Sequence, residues 1–263
     1  MDKSPSGSRA NVWIAQKFIW LAVLLLTGQQ LVAVEDPGKF LALTIQKFEK
    51  GIDPPRPILV WALGNTALDS LDDGTSIRKA LANRFPHCPP IELKKKTGVA
   101  ATWEQVNSWI TDHALSDHPD LLILYATGKP KSLDKLLTKI RSGSTADILV
   151  PSIHWRMADK PNWGKTENAV DQNVAVLRET CRKHGAELVE NRKRWAEHLQ
   201  LGKLPIESLL KDKTVPNNKG ATLLRNNIIA QLRRPAKGFH YEPRTRERRV
   251  NISFSFDPGE AFS

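Results

Sequence analysis

The run Ile58-Leu-Val-Trp-Ala-Leu63 decides the fold, because a continuous apolar stretch that ends at Gly64 is typical of a strand covered on both faces. Other strand-like runs follow at residues 91–93, 121–126, 147–153 and 186–190. Helical patterns separate these runs. Regular alternation of strands and helices predicts a three-layer α/β/α fold with a mostly parallel sheet.

The helical patterns complete the strand–helix alternation, and this alternation indicates where a functional site should lie. Thr102 has the character of an N-cap, with Gln105 three residues later, and predicts a helix through Ala114. The other helices are expected at residues 76–85, 133–141, 171–184, 191–200, 206–211 and 218–233. In such a fold ligands bind at the carboxyl ends of the strands. The residues that follow each strand are therefore the candidates for function.

Composition excludes several classes of protein. Of 263 residues, 40% are hydrophobic and 25% are charged, as in ordinary globular domains, so the chain is not wholly disordered. Two cysteines, Cys88 and Cys181, are too few for a disulfide scaffold or a four-cysteine zinc site, although one bond between them stays open. Histidines, cysteines and carboxylates lack metal-ligand spacing, and no glycine-rich phosphate loop is found. We expect no metal and no cofactor.

The first 33 residues have the pattern of a secretory signal. Basic residues precede the apolar stretch 18–27, and the small residue Ala33 is the expected cleavage point. A retained membrane anchor is the alternative. Either reading predicts an exported protein, located in the periplasm, outside the cell or attached to a membrane. Export argues against nucleic acid as the partner, despite a formal net charge of +11.

Three further regions follow the leader. Residues 34–55 are expected to form a helical lead-in, residues 56–234 the main domain, and residues 235–263 a basic tail. The alternating pattern of residues 250–256 predicts one β-strand in this tail. The tail arginines indicate an anionic polymer or a membrane surface as a partner, and a solvated tail is the simpler reading. The arginines in question are Arg244, Arg246, Arg248 and Arg249.

The strand ends of residues 56–234 resemble the SGNH/GDSL hydrolases, an esterase superfamily with a flavodoxin-like sheet. Gly64-Asn-Thr66 stands where the family has Gly-Asp-Ser with the nucleophile. Thr97-Gly-Val-Ala100 takes the place of the block with the oxyanion glycine, here Gly98. Gly128-Lys-Pro-Lys131 stands for Gly-x-Asn-Asp, and Asp212-Lys-Thr-Val-Pro-Asn217 for Asp-x-x-His-Pro-Asn.

The resemblance implies a damaged catalytic apparatus. Thr66 keeps a hydroxyl at the serine position, but its methyl group crowds the approach of a substrate. Val215, at the histidine position, cannot accept a proton. Pro130, at the asparagine position, offers no donor, so Lys129 is the candidate replacement in the oxyanion site. Asp212 keeps the expected type but has no histidine to orient.

Two residues after the strand at 147–153 are further candidates. His154 lies at the edge expected for the site and could replace the missing base, or it could simply bind a nearby loop. Trp155 could stack on a sugar ring, or it could pack in the core.

Ser70 is an alternative nucleophile, with a role in the local turn as the simpler interpretation.

The resemblance therefore predicts an exported SGNH hydrolase-like protein, related to enzymes that act on acyl groups of carbohydrate or lipid, with impaired or lost catalysis. If it is active, it is a hydrolase of ester bonds. A non-catalytic protein that binds carbohydrate or a polyanion on the same fold is the alternative. A third possibility is a basic structural protein associated with a surface.

Overall fold

The computed structural model describes residues 36–162 and 169–240. The expected leader, residues 1–33, and the expected tail strand, residues 250–256, lie outside this part of the chain. Among the residues described, no helix is both long and apolar enough to cross a membrane.

The centre of the domain is a five-stranded parallel sheet. Its strands are β1 (Ile58–Asn65), β2 (Ile91–Gly98), β3 (Leu121–Tyr125), β4 (Asp147–Pro151) and β5 (Glu187–Val189). Their order in the sheet is β2-β1-β3-β4-β5, and every neighbouring pair is parallel. This is the flavodoxin-like strand order, in which β2 lies on one side of β1 and β3 on the other. In such sheets ligands bind at the carboxyl ends of the strands at this change in strand order.

Helices cover both faces of the sheet, so the predicted three-layer α/β/α architecture is confirmed. The helices are α1 (Ala42–Lys50), α2 (Thr75–Leu81), α3 (Trp103–Trp109), α4 (Pro130–Gly143), α5 (Ala169–Lys183), α6 (Asn191–Leu201) and α7 (Asn218–Gln231). One core contains residues of α1, α2 and α7, and the other contains residues of α3, α4 and α5. Cys88 packs against the first core and Cys181 lies in the second, so the sheet separates them and they form no disulfide.

Several elements differ from their sequence patterns. β2 continues through three lysines to Gly98, because an edge strand is only half covered and its lysine side chains can reach solvent. α4 begins at Pro130 and not at Leu133, since a proline at the first helical position lacks only an N–H that would have no partner. The capping box of Thr102 and Gln105 is present, but the helix changes to a π-turn over Ile110–Ala114. The expected helix at 206–211 is a 3₁₀ turn, Ile206–Leu209.

Buried carboxylates at the amino edge of the sheet hold α1 in place. The N–H of Thr44, in the first turn of α1, donates to Asp147 Oδ2 over 2.7 Å. The N–H groups of Gly38 and Phe40 donate to the two oxygens of Glu187, over 2.9 and 3.1 Å. Asp147 and Glu187 begin β4 and β5, so the segment before the sheet is tied to its amino edge.

A third carboxylate, Asp120, joins the same edge to charged partners. It accepts hydrogen bonds from Nη1 and Nη2 of Arg56 over 2.7 Å each, from the Lys47 ammonium and from the N–H of Leu59. Burial alone would raise the pKa of Asp120, but the hydrogen bonds from Arg56, Lys47 and Leu59 outweigh it, and the pKa is lowered. The carboxylate therefore stays ionised while buried.

The two ends of the described chain meet at this amino edge. The N–H of Lys237 donates to Asp36 Oδ2 over 2.6 Å, and the N–H of His240 donates to Lys39 O over 2.8 Å. α7 begins at the carboxyl edge and returns the chain to the amino edge, which brings residues 232–240 beside residues 36–40.

Candidate functional site

The carboxyl end of β1 presents Thr66. Gly64 has φ +136°, and a Cβ there would lie 1.9 Å from the carbonyl oxygen of Tyr125 on β3. Only glycine allows this close contact. The Asn65 side chain then accepts the N–H of Ala67 over 2.9 Å and starts the 3₁₀ turn Thr66–Leu71. Thr66 is partly exposed at the edge where the fold places ligands.

The carboxyl ends of β2 and β3 bring Gly98 and Lys129, the two candidates for the oxyanion site, to the same edge of the sheet. Gly98 is paired with Asn65 in the parallel register of β2 and β1. A Cβ on Gly98 would come within 3.2 Å of the Trp109 ring, so a larger residue would disturb this packing. Lys129 is exposed at the N-cap position of α4, after β3, and Pro130 follows it without an N–H.

The loop before α7 is closed by its own hydrogen bonds. Lys211 N–H donates to Val215 O over 2.8 Å, and Leu210 pairs with Pro216. Inside it, the Asp212 carboxylate accepts the N–H groups of Thr214 and Val215 over 2.7 and 2.8 Å. These two hydrogen bonds lower the pKa of Asp212. Asp212 thus stabilises the turn that carries Val215.

The start of α7 packs against the turn that begins at Thr66. Ser70 Oγ donates to Ala67 O over 2.9 Å and approaches Ala221 O at 3.1 Å. Arg225 donates to Ser70 O over 3.4 Å. Ser70 therefore joins two elements of the fold, and the idea that it is an alternative nucleophile loses its basis.

His154 does not have the geometry of a base for Thr66. It is 1% exposed, and its Nε2 lies 2.8 Å from the carbonyl oxygen of Thr214. A carbonyl only accepts, so Nε2 carries the proton, and Nδ1 accepts the hydroxyl of Tyr125. Burial lowers the pKa of His154 to about 4, so the ring is neutral at pH 7. Both ring nitrogens are occupied, which corrects the sequence-based hypothesis of a substitute base.

Trp155 is a packing residue in this structure. Its side chain is 5% exposed, and its indole N–H donates to Arg192 O over 2.9 Å. The guanidinium carbon of Arg192 lies 3.4 Å from the centre of the ring. The ring face is covered, so the expected stacking of Trp155 on a sugar is not supported by its position.

The hydroxyl that holds His154 belongs to Tyr125, a residue that no sequence pattern singled out. Tyr125 is the last residue of the apolar strand β3, and it is fully buried. Burial raises the pKa of Tyr125 well above its ordinary value, so its hydroxyl stays protonated and donates. Across the described residues, no group of three or more histidine, cysteine, aspartate or glutamate side chains is arranged to hold a metal ion.

Comparison with protein-family models gives no match, and comparison with curated proteins gives none either. Solved structures do match. LAE5, an alpha/beta hydrolase from the metagenome of Lake Arreo in Spain, aligns with a TM-score of 0.51 and 16% identity over 66% of this chain and 94% of its own. Axe2, an acetylxylan esterase from Geobacillus stearothermophilus, aligns with a TM-score of 0.55 and 12% identity over 66% of this chain and 93% of its own. The chain has the fold of these two hydrolases, with a five-stranded parallel sheet between layers of helices.

Catalytic mutants of Axe2 replace a serine, an aspartate or a histidine by alanine, and in Axe2 the histidine follows the aspartate by three positions. In the present chain, Thr66, Gly98 and Lys129 lie at the carboxyl ends of neighbouring strands. Asp212 and Val215 lie in the loop that leads into α7.

Proposed function

We propose that this chain is an exported protein of SGNH-type esterase fold that binds acylated carbohydrate and hydrolyses its esters very slowly or not at all. The observation that carries the proposal concerns the two described residues expected to serve Thr66 as a base, Val215 and His154. Val215 has no proton acceptor, and both ring nitrogens of His154 are occupied by Tyr125 and Thr214.

The spacing of Asp212 and Val215 supports this interpretation, because it equals the spacing of the catalytic aspartate and histidine in Axe2. Among the described residues, no hydrogen bond joins the Thr66 hydroxyl to a histidine. Removal of a triad member lowers the rate by roughly four orders of magnitude or more. We therefore expect residual activity at most.

Binding can persist where catalysis does not. Gly98 remains beside Asn65, and Lys129 places an exposed ammonium at the next strand end. An ammonium there would attract the carbonyl oxygen of an acyl group. The choice of acylated carbohydrate as the ligand rests on the acetylxylan esterase Axe2, which aligns over 93% of its length.

The test is ester hydrolysis by the purified chain on acetylated xylo-oligosaccharides and short-chain nitrophenyl esters, together with calorimetric binding of the same oligosaccharides. We expect binding with a hydrolysis rate near background. The double variant Thr66→Ser with Val215→His supplies the serine and the histidine of the family pattern, and we expect its rate to rise roughly 100-fold or more.

The matched control for the added histidine is Thr66→Ser with Val176→His, since Val176 is an exposed valine on α5. It should leave the rate unchanged. Hydrolysis by the unmodified chain at a rate typical of esterases, lost in Thr66→Ala, would show that catalysis is intact and would refute the proposal. Absence of binding to every acylated oligosaccharide would refute the ligand.

A second candidate function is the binding of acidic oligosaccharides, and a cavity beside the loop before α7 supports it. The cavity has a volume of about 570 Å³. It is lined by Ser208, Lys211, Pro216, Asn217, Asn218 and Lys219. Two ammonium groups with amide and hydroxyl groups suit a carboxylated sugar. If this function is correct, Lys211→Gln with Lys219→Gln weakens binding of acidic oligosaccharides and leaves that of neutral acetylated ones unchanged. If the variant bound acidic oligosaccharides as tightly as the unmodified chain does, this second function would be rejected.

A further inference from the structure

A cavity lies at the amino edge of the sheet, between the turn that follows α1 and the segment that precedes β2. It has a volume of about 480 Å³. Two prolines before β1 and two before β2 line it: Pro55, Pro57, Pro89 and Pro90. Ile52, which packs against the first core, lines it as well. β1 spans roughly 25 Å, so its length separates this cavity from Thr66 at the carboxyl edge.

The backbone holds this cavity in shape. A proline ring fixes its own φ, so a lining of four prolines loses little conformational freedom when a ligand binds. The N–H of Ile58 donates to Pro90 O over 2.8 Å and ties the two pairs of prolines together. Nothing lies within 4 Å of a Cβ placed on Gly51, so the space beside the turn is open. The cavity is therefore preformed and largely apolar.

Arg56 gives the cavity a fixed positive charge. Asp120 accepts hydrogen bonds from Nη1 and Nη2 of Arg56 over 2.7 Å each, so the guanidinium is held in one orientation. Asp120 also accepts a hydrogen bond from the Lys47 ammonium. One buried carboxylate thus faces two cations, and this group of three side chains carries a net positive charge.

Lys50 is the second cation that lines the cavity. It is exposed, and its ammonium forms no hydrogen bond or ion pair with any of the described residues. Of the acids close to it in sequence, Glu49 is bound by Arg234 over 3.0 Å, and Asp53 does not line the cavity. The Lys50 ammonium is therefore available to a ligand that carries a negative charge.

We propose that this cavity binds a small carboxylate with an apolar body, of the size of a medium-chain fatty acid. Ligand sites of this volume are mostly apolar, with a few polar groups that fix the orientation of the ligand. The apolar body lies between the prolines and over Ile52, and the carboxylate accepts from the Lys50 ammonium in the positive field of Arg56. A neutral molecule would leave both cations unused, and a polyanion would leave the apolar lining unused. The site is independent of Thr66 and of any ester hydrolysis there.

The experiment is titration of the full chain with octanoate, butyrate and octanamide, followed by calorimetry and by the methyl NMR signals of Ile52. We expect octanoate to bind at least roughly tenfold tighter than butyrate, because its longer chain buries more apolar surface. It should bind roughly three- to fivefold tighter than octanamide, because an exposed pair of charges contributes about that much. The Ile52 signals should shift over the same range of octanoate concentration.

Three results of this titration would overturn the proposal. Equal affinity for octanoate and butyrate would show that the apolar lining is not used, and equal affinity for octanoate and octanamide would show that the cations are not used. Octanoate binding without a shift of the Ile52 signals would place the ligand elsewhere. Absence of octanoate binding at millimolar concentration would likewise reject the site.

One variant and two controls locate the carboxylate. Lys50→Gln should weaken octanoate binding roughly three- to fivefold and leave octanamide binding unchanged. The control Lys135→Gln removes the same charge from an exposed position on α4, which packs on the other face of the sheet, and should bind both probes like the unmodified chain. Equal melting temperatures verify that each variant is folded. Unchanged octanoate affinity in Lys50→Gln would refute the assignment, and so would a loss of octanoate binding in Thr66→Ala, which would place the acid at the carboxyl edge.

Discussion

One glycine shapes the site at the level of a single residue. Gly64 has φ +136°, and its Cα lies so close to the Tyr125 carbonyl that a Cβ would lie 1.9 Å from the oxygen. We expect Gly64→Ala to lower the free energy of unfolding by about 2–4 kcal/mol, because both backbone strain and a backbone clash oppose the methyl group. Urea denaturation measures the effect.

The control for this change is Gly143→Ala at the end of α4. Gly143 has ordinary φ, and nothing lies within 4 Å of a Cβ there. Its substitution should change the free energy of unfolding by less than about 1 kcal/mol. Similar values for the two variants would contradict the account of Gly64.

His154 makes stability depend on pH. Its pKa is about 4 in the fold, where burial opposes protonation, and about 6.5 in an unfolded chain. The unfolded state therefore binds the proton first, and stability falls as the pH drops below about 6.5. We expect a loss of about 2 kcal/mol of unfolding free energy from this group between pH 7 and pH 5, measured by urea denaturation at each pH.

The variants His154→Leu and His198→Gln separate this effect from a general one. His154→Leu removes the buried ring and should flatten the slope between pH 7 and pH 5, whatever its effect on absolute stability. His198→Gln changes an exposed ring on α6 and should leave the slope as it is. An unchanged slope in His154→Leu would assign the pH dependence to other groups.

Sequence could identify the residue types of the site but not the partners of those residues. Thr66 follows β1, Gly98 ends β2, Lys129 lies in the loop after β3 and Asp212 precedes α7. Because these residues stand in this order along the chain, a resemblance could find them. The partners of His154 are 29 and 60 residues away in sequence, at Tyr125 and Thr214. One of these partners belongs to an apolar strand and the other is a backbone carbonyl, and neither leaves a pattern in sequence.

At the level of elements, α1 depends on a distant carboxylate for its N-terminal cap. No side chain of its own segment caps α1, and the Thr44 N–H is bound by Asp147 at the start of β4. We expect Asp147→Ala to destabilise the fold by about 2–4 kcal/mol, because it leaves the buried Thr44 N–H without this acceptor. Thermal unfolding measures this loss.

Asp112→Ala is the matched control, since Asp112 is exposed in the π-turn. It should shift the melting temperature by no more than a degree or two, in line with the small effects of surface substitutions of roughly 0.5 kcal/mol. If Asp147→Ala were as mild, α1 would not rely on that carboxylate.

Apolar runs made β1, β3 and β4 predictable, because both faces of these strands are buried. β2 was only partly predictable. Its three lysines do not resemble a strand, but pairing with β1 along eight residues holds them extended. The carboxylates that anchor α1 were not predictable, since nothing in a single acidic residue before a strand indicates which distant N–H it accepts.

For the whole molecule, the segment before β1 is an integral part of the domain. Residues 38–47 contact Asp120, Asp147 and Glu187 across three strands. We expect a chain that begins at Val34 to unfold cooperatively at the melting temperature of the full chain. A chain that begins at Gly51 exposes the core under α1 and the three carboxylates, and it should lose cooperative unfolding by calorimetry. A cooperative transition in the shorter chain would show that α1 is dispensable.

Because Asp36 and Lys237 are hydrogen-bonded neighbours, a short glycine linker could join the two ends of a chain trimmed to residues 36–240 and close it into a ring. New termini could then be opened at the exposed turn between Gly202 and Lys203. Such a circular permutant should fold to the same sheet and have a circular dichroism spectrum like that of the parent. For the same reason, the domain should tolerate insertion as a whole into a loop of another protein.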